Sequence, residues 1–334
     1  MTDFTWRDGE RVIRFGRGAV GEADALIAAA GLTDYALLTT ERAVEAAPAL
    51  AEAADGVVHV PAGKVDEVSA ELLEEVEDRD LVAFGGGRVI DTAKAIAGVF
   101  GRRCAAVPTT LSGAELTPFH RTPAGVEGAR MVRPALVVAD PDLMASQPPA
   151  QLAASALNAL AHALEATYTP LANPVGDIAA LRAASLLAEA LAADPPDRDA
   201  AALGALLAGY ASGAAGFAVH HAVCQMLVRL AGTPHAETNA VMLPHSARLM
   251  AGRAPAALSA FAEALGDSSG DPGAAAERVA ALTRRTGHTQ LSELGAGQEH
   301  VRPVVEALRG HPALGNTPDP PDEVELTAFV QAAL

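Results

Sequence analysis

The chain has 334 residues, half of them apolar, and a formal net charge of −17. Its length suits two domains, each able to bury its own core. The acidic balance excludes a nucleic-acid partner, which needs a basic surface against phosphate, and no uncharged run reaches membrane-spanning length.

The start, MTDFTWRDGERVIRFGRG, is charged and lacks the apolar core of a signal peptide. Residues 11–18 alternate like a strand running into a glycine turn, and 19–30 read as a helix. A short apolar run over 35–40 ends at Thr40, and a helix starts at Glu41. Residues 57–60 read as a strand, 65–76 as an amphipathic helix, and 81–84 as a strand entering Gly85, Gly86 and Gly87. Further strands at 104–107 and 135–138 extend the series. Short apolar strands alternating with helices indicate a parallel sheet wrapped by helices. From about residue 151 the texture changes to long Ala/Leu-rich helical segments, divided near 194–196 and 232–234. The expected architecture is therefore an α/β domain over 1–150 and an all-α domain over 151–334. Residues 267–275 and the proline-rich stretch 315–322 read as loops. Cys104 and Cys224 have neither disulfide nor zinc spacing, which points to the cytoplasm.

Two loops carry a ligand signal. Strand 81–84, then GGGRVIDTAK over 85–94, is a strand–loop–helix arrangement in which glycines let the backbone approach an anion. The helix amino end adds free N–H groups and partial positive charge, with Asp91 and Lys94 inside its first turns. The pattern is neither GxGxxG nor a P-loop, and a plain glycine turn explains it equally well by itself. After the next strand, PTTLSGAE (108–115) brings Thr109, Thr110 and Ser112, either as a second ligand loop or as a hydroxyl-rich turn. Two such loops at neighbouring strand ends would form the crevice where α/β sheets bind ligands.

The second concentration is FAVHHAVCQMLVRLAGTPHAETNAVMLPH (217–245), which holds four of the ten histidines. His220 and His221 lie in an apolar helical run, Gln225 follows His221 by one turn, and Pro234 separates them from His235. Buried neutral imidazoles ligate metals, move protons or hold polar substrate groups; singly they are more often core residues satisfied by carbonyls.

Together these stretches resemble the iron-containing alcohol dehydrogenase superfamily, distantly allied to dehydroquinate synthase. The resemblance spans nearly the whole chain: GGGRVIDTAK, PTTLSGAELTP, DPDL (140–143), LNALAHALEATY (157–168), ANP (172–174), and HHAVCQ with PHAETNAVMLPH. Asn158, the His220–His221 pair, PHAET and HPALGN (311–316) are most similar to maleylacetate reductases. The resemblance implies a dehydroquinate synthase-like fold and NAD(P)H-dependent reduction of maleylacetate to 3-oxoadipate, in aromatic degradation. It implies a dinucleotide on the glycine loop, with the nicotinamide between the domains, and a homodimer. Gly85, Gly86 and Gly87 would meet the pyrophosphate, Asp91 would lie beside the cofactor, and Thr109, Thr110 and Ser112 would line its path. Thr40 stands where many relatives carry an Asp that contacts the ribose, so NADPH is expected to be accepted as readily as NADH.

By the same resemblance, the metal ligands of relatives fall on Asn158, His162, His221 and His235. Asn158 replaces the carboxylate, which favours the metal-free form; iron or zinc, if held, would lie on those four. Without metal, His162, His220, His221 and His235 would hold the carboxylates or keto oxygen of the substrate. Gln225 occupies a position where such reductases commonly carry a histidine, and it cannot exchange a proton near neutral pH. The segment 119–133 is also shortened, leaving Arg121, Arg130 and Arg133 as its basic groups. The leading expectation is a reductase of maleylacetate or a similar small oxo-acid. The alternative is a diverged biosynthetic relative catalysing a non-redox cyclisation or isomerisation.

Overall fold

The computed structural model describes residues 2–76 and 79–334. The chain forms two compact units, Met1–Ser146 and Gln147–Leu334.

Unit 1 is built on strands β1 (Phe4–Asp8), β2 (Arg11–Phe15), β3 (Tyr35–Thr39), β4 (Gly56–His59), β5 (Asp80–Gly85), β6 (Cys104–Pro108) and β7 (Leu136–Ala139). They form one sheet in the order β1-β2-β7-β6-β5-β3-β4, parallel except for β1 against β2. Its helices are α1 (Ala23–Ala29), α2 (Glu41–Ala46), α3 (Pro48–Ala53), α4 (Val65–Val76), α5 (Gly87–Phe100) and α6 (Pro141–Met144). Alternate strand residues feed two separate cores. Leu38, Leu81 and Ala83 pack with Val68, Leu72, Ile90 and Ile96 on one face. Leu37, Val82 and Phe84 pack with Ile27, Leu32 and Leu50 on the other. Both faces are covered, so the strands read as continuous apolar runs rather than as alternation.

The parallel sheet agrees with the sequence reading, with strand ends shifted by a residue. The sequence reading assigned no element to β1, a short edge strand in which exposed Thr5 and Arg7 alternate with half-buried Phe4, Trp6 and Asp8; the Phe4 and Phe15 rings stack at 5.3 Å.

Unit 2 is helical: α7 (Pro149–Ala166), α8 (Pro174–Ala192), α9 (Arg198–Ala215), α10 (Val219–Ala231), α11 (His235–Ala251), α12 (Pro255–Ala264), α13 (Ala274–Thr283), α14 (Gln298–Ala307), α15 (Pro312–Gly315) and α16 (Glu323–Gln331). The two expected loops are shorter by a few residues, because α13 begins at Ala274 and α15 includes Gly315. α7 is the central element. Every residue from Leu152 to Ala166 is buried, so its polar members Ser155, Asn158, His162 and Glu165 are the informative exceptions. α10 packs against both α7 and α11, which buries His220 and His221 together although they point to different sides of the helix. Among the described residues no single helix is long and apolar enough to cross a membrane.

Candidate functional site

In unit 1, the loops expected to bind a ligand gather at the carboxyl ends of β3, β5 and β6, which are neighbours in the sheet. The chain leaves β3 toward β4 on one side and returns to β5 on the other, and such a reversal of strand order opens a ligand crevice. Gly85 ends β5, Gly86 is the N-cap of α5 with no side-chain cap, and Gly87 opens the helix. The first N–H groups of α5 therefore lack side-chain partners and present partial positive charge. A Cβ on Gly86 would lie 3.0 Å from Thr110 Cγ2, one on Gly87 3.0 Å from Ser112 Cβ, and one on Gly85 2.7 Å from Val89 Cγ2. The glycines thus also let the second loop lie against the first. Gly86 has φ −79°, so space rather than backbone conformation excludes a side chain there.

Thr109 donates its backbone N–H to Gly85 O at 3.0 Å, and Thr39 Oγ1 donates to Phe84 O at 2.9 Å, which ties the three strand ends together. Thr110 and Ser112 are half-buried beside the loop. Thr40 caps α2 by accepting from Ala43 N. Lys94 does not face an anion site: it is fully buried and donates to Ala114 O (2.8 Å) and Thr117 O (3.1 Å). Its Nζ also lies 2.7 Å from Asp91 Oδ1, so Asp91 anchors this lysine while its side chain remains partly exposed.

In unit 2, His162 and His221 come together with ring centroids 4.5 Å apart, and Phe217 stacks on His221 at 4.6 Å. His221 Nδ1 lies 2.6 Å from Glu165 Oε2, whereas Nε2 is buried without a partner. His162 Nδ1 and Asn158 Oδ1 are also buried and unpartnered. Asn158 and His162 are one turn apart on α7 and share a face. Burial pushes His221 down to about 3 and holds His162 well below the usual histidine value, so both imidazoles are neutral in the free protein.

His220 belongs to the core instead. Its Nε2 faces Asn239 Oδ1 at 3.0 Å and its Nδ1 faces Ser246 Oγ at 2.7 Å. Asn239 Nδ2 already donates to His235 O, so the hydrogen-bond network assigns the His220 hydrogen to Nε2 and makes Nδ1 an acceptor from Ser246. Burial lowers its pKa to about 3. His220, expected to hold a substrate group, thus has both ring nitrogens taken up by partners within the core. His235 opens α11 and is exposed, and Gln225 is half-buried on α10. Asn239, Ser246 and Glu165 were not singled out by the sequence reading. Only Glu165 carried a signal, as a carboxylate in an Ala/Leu helix three residues after His162.

The cluster also bears on metal. Among the described residues, no three His, Cys, Asp or Glu side chains converge to hold an ion. The nearby carboxylate, Glu165, is engaged by His221 and the α10 backbone, and Asn158 brings no charge. As arranged, these residues lack the third converging ligand and the anion that fix a divalent cation.

A doubly wound α/β unit with an uncapped glycine-loop helix, followed by a helical unit with buried imidazoles, defines a two-domain oxidoreductase of dehydroquinate synthase-like fold. Family models for iron-containing alcohol dehydrogenase match residues 11–141, and for the C-terminal part of that family residues 152–334. The chain belongs to the iron-containing alcohol dehydrogenase family. It is 37% identical over 280 residues, 78% of each chain, to maleylacetate reductase from Sphingobium indicum. It superposes on the crystal structure of maleylacetate reductase from Rhizobium sp. strain MTP-10005 with TM-score 0.83 and 29% identity, covering 100% of this chain and 98% of that one. Sulfoacetaldehyde reductase from Bifidobacterium kashiwanohense, solved in complex with NAD+, gives TM-score 0.81 and 25% identity, covering 99% of both chains.

Proposed function

We propose that the chain is an NAD(P)H-dependent reductase that converts maleylacetate to 3-oxoadipate. The observation that carries this reading is the set of buried, unpartnered polar atoms in unit 2: Asn158 Oδ1, His162 Nδ1 and His221 Nε2. Orphaned polar groups in a buried site cost free energy that a polar ligand recovers. The similarity to maleylacetate reductases supplies the substrate.

In unit 1, the N–H groups opening α5 would hold the pyrophosphate, with Gly85, Gly86 and Gly87 leaving room for it and Thr109, Thr110 and Ser112 alongside. Thr40 puts no carboxylate at the end of β3, so a 2′-phosphate meets no repulsion there and both NADH and NADPH are accepted. The reduced nicotinamide, when bound, supplies a hydride. Adding hydride to a double bond conjugated with a ketone drives charge onto the keto oxygen, and a proton must reach the neighbouring carbon. His162 and His221 have the free nitrogens for these tasks. His220 holds the packing of α10 on α11, and Gln225 can orient but not titrate. The reading is metal-independent. Cys104 and Cys224 are free and buried, consistent with a reducing cytoplasmic setting, and the enzyme is taken as a homodimer.

The test is a titration of metal-analysed protein with NADH and with NADPH, followed by maleylacetate, with and without a chelator. Binding of either nucleotide and its oxidation on adding maleylacetate, unchanged by chelation, is the expected result. Failure to bind both nucleotides would overturn the reading. Binding without oxidation would reassign the substrate.

A further inference from the structure

Lysine is scarce in this chain: Lys64 and Lys94 stand against 22 arginines. Lys64 is exposed beside Glu67, a setting that suits arginine equally well. Lys94 is fully buried, and its place on α5 explains why an ammonium is kept there. Gly87, Asp91 and Lys94 follow one another at i, i+4 and i+7, so they form one stripe of the helix. The hydroxyl loop runs along that stripe. At the amino end a Cβ on Gly87 would lie 3.0 Å from Ser112 Cβ and 3.9 Å from Ala114 Cβ. Two turns on, Lys94 Nζ donates to Ala114 O at 2.8 Å and to Thr117 O at 3.1 Å.

Residues 113–117 are all buried, turning at Gly113 with φ 72° and closing with Leu116 N–H on Gly113 O at 3.0 Å. A buried turn has to satisfy its carbonyls without water. The Thr117 hydroxyl offers Ala114 O only a long bond of 3.5 Å, so the ammonium is the main donor. Glu115 sits in the same turn with no donor on either oxygen, which shows that the hydrogens of Lys94 are committed to the backbone of the turn. The remaining neighbour is Asp91 Oδ1 at 2.7 Å, an ion pair inside the helix. One compact ammonium meets all three oxygens from a single atom, which a planar guanidinium cannot do. Asp91 lies one turn from the free N–H groups of α5 and is partly exposed. Without Lys94 its charge would act on an arriving phosphate unopposed.

We propose that Lys94 is a positioning residue for the dinucleotide: from behind the glycine loop it holds residues 109–112 against the amino end of α5 and offsets the charge of Asp91. The phosphate seat is thereby formed before the nucleotide arrives, although Lys94 touches no part of it. The identity of the ligand rests on the reductase reading.

The first test uses the parent protein. Lysine labelled with nitrogen-15 at Nζ gives two ammonium signals, of which Lys64 is assigned by its loss in Lys64→Arg. The Lys94 ammonium should exchange its hydrogens at least about 100-fold more slowly than Lys64, and saturating NADP+ should shift its signal and slow its exchange roughly tenfold further. A lysine that only fills the core would not respond to the nucleotide. In Lys94→Met the Kd for NADP+ should rise at least about tenfold, while kcat at saturating NADPH stays within about threefold and KM for maleylacetate within about twofold. NADP+ bound with the Lys94 signal unmoved, or parental affinity in Lys94→Met, would overturn the proposal. The signal of the parent decides it even if the Met variant does not fold. No binding of NADP+ would remove this inference together with the reductase reading. A responding Lys94 signal without turnover of maleylacetate would keep the inference and remove only the substrate.

Discussion

Glu115 shows how far a single residue can stand from its sequence context. In the sequence it is one letter of a hydroxyl-rich loop; in the fold it is fully buried and neither carboxylate oxygen meets a donor. Burial pushes it up to about 7. Its folded pKa lies above the unfolded value, so the folded form binds an extra proton between about 4.5 and 7, and stability falls as pH rises through that window. The rise corresponds to about 3 kcal/mol when the carboxyl is fully ionised. Glu115→Gln should therefore be more stable than the parent near pH 8 by an amount of that order, with the difference vanishing near pH 4.5. Urea unfolding at the two pH values measures it, and a pH-independent difference would mean that the carboxyl is ionised at no cost. Gly86 makes a different prediction. Gly86→Asp would crowd Thr110 and set a carboxylate at the uncapped end of α5, so nucleotide Kd should rise at least about tenfold. Equilibrium titration with NADPH reads this, and unchanged affinity would take the glycine loop out of the binding site.

At the scale of elements, the turn from α9 into α10 is what places Phe217 on His221. It needs glycine: Gly216 has φ 77°, and a Cβ there would also lie 3.1 Å from Asn316 Nδ2. Asn316 donates to Ala215 O at 3.2 Å and to Phe217 O at 2.9 Å, while Thr169 Oγ1 donates to Ala215 O at 2.9 Å. The segment HPALGN thus acts as a clamp on the helix that carries the histidines. Asn316→Ala leaves the Phe217 carbonyl without this donor and should cost about 1–3 kcal/mol. It should also raise KM for maleylacetate several-fold with little change in KM for NADPH, as steady-state kinetics would show. Equal changes in both constants would argue against a local clamp.

The same elements show what the sequence made legible. The parallel strands stood out because two covered faces demand unbroken apolar runs, and the glycine loop because a strand ran straight into three glycines. β1 was missed because an edge strand needs so little apolar surface. His220 and His221 could not be told apart by spacing, since their separate fates depend on Asn239 and Ser246 from α11 and on Glu165 from α7. Such partners are set by helix packing, which no local pattern reports.

At the scale of the whole molecule, buried titratable groups give the two units opposite responses to pH. Unit 2 holds His162, His220 and His221, all neutral and all pushed down by burial, two of them to about 3. Their folded pKa values lie below the unfolded 6.5, so the unfolded chain takes up protons that the folded unit refuses. The stability they contribute is complete above about 6.5 and is lost as pH falls toward about 3. Each of the two pushed to about 3 contributes a slope of at most about 1.4 kcal/mol per pH unit on the acid side. Unit 1 holds Glu115, whose slope has the opposite sign. Amide hydrogen exchange resolved by peptide, and corrected for intrinsic rates, separates them. Between about pH 7.5 and 5.5, protection of α7, α10 and α11 should fall steeply, whereas protection of β5, β6 and α5 should hold or rise. Parallel loss of protection in both units would show that they open as one cooperative block.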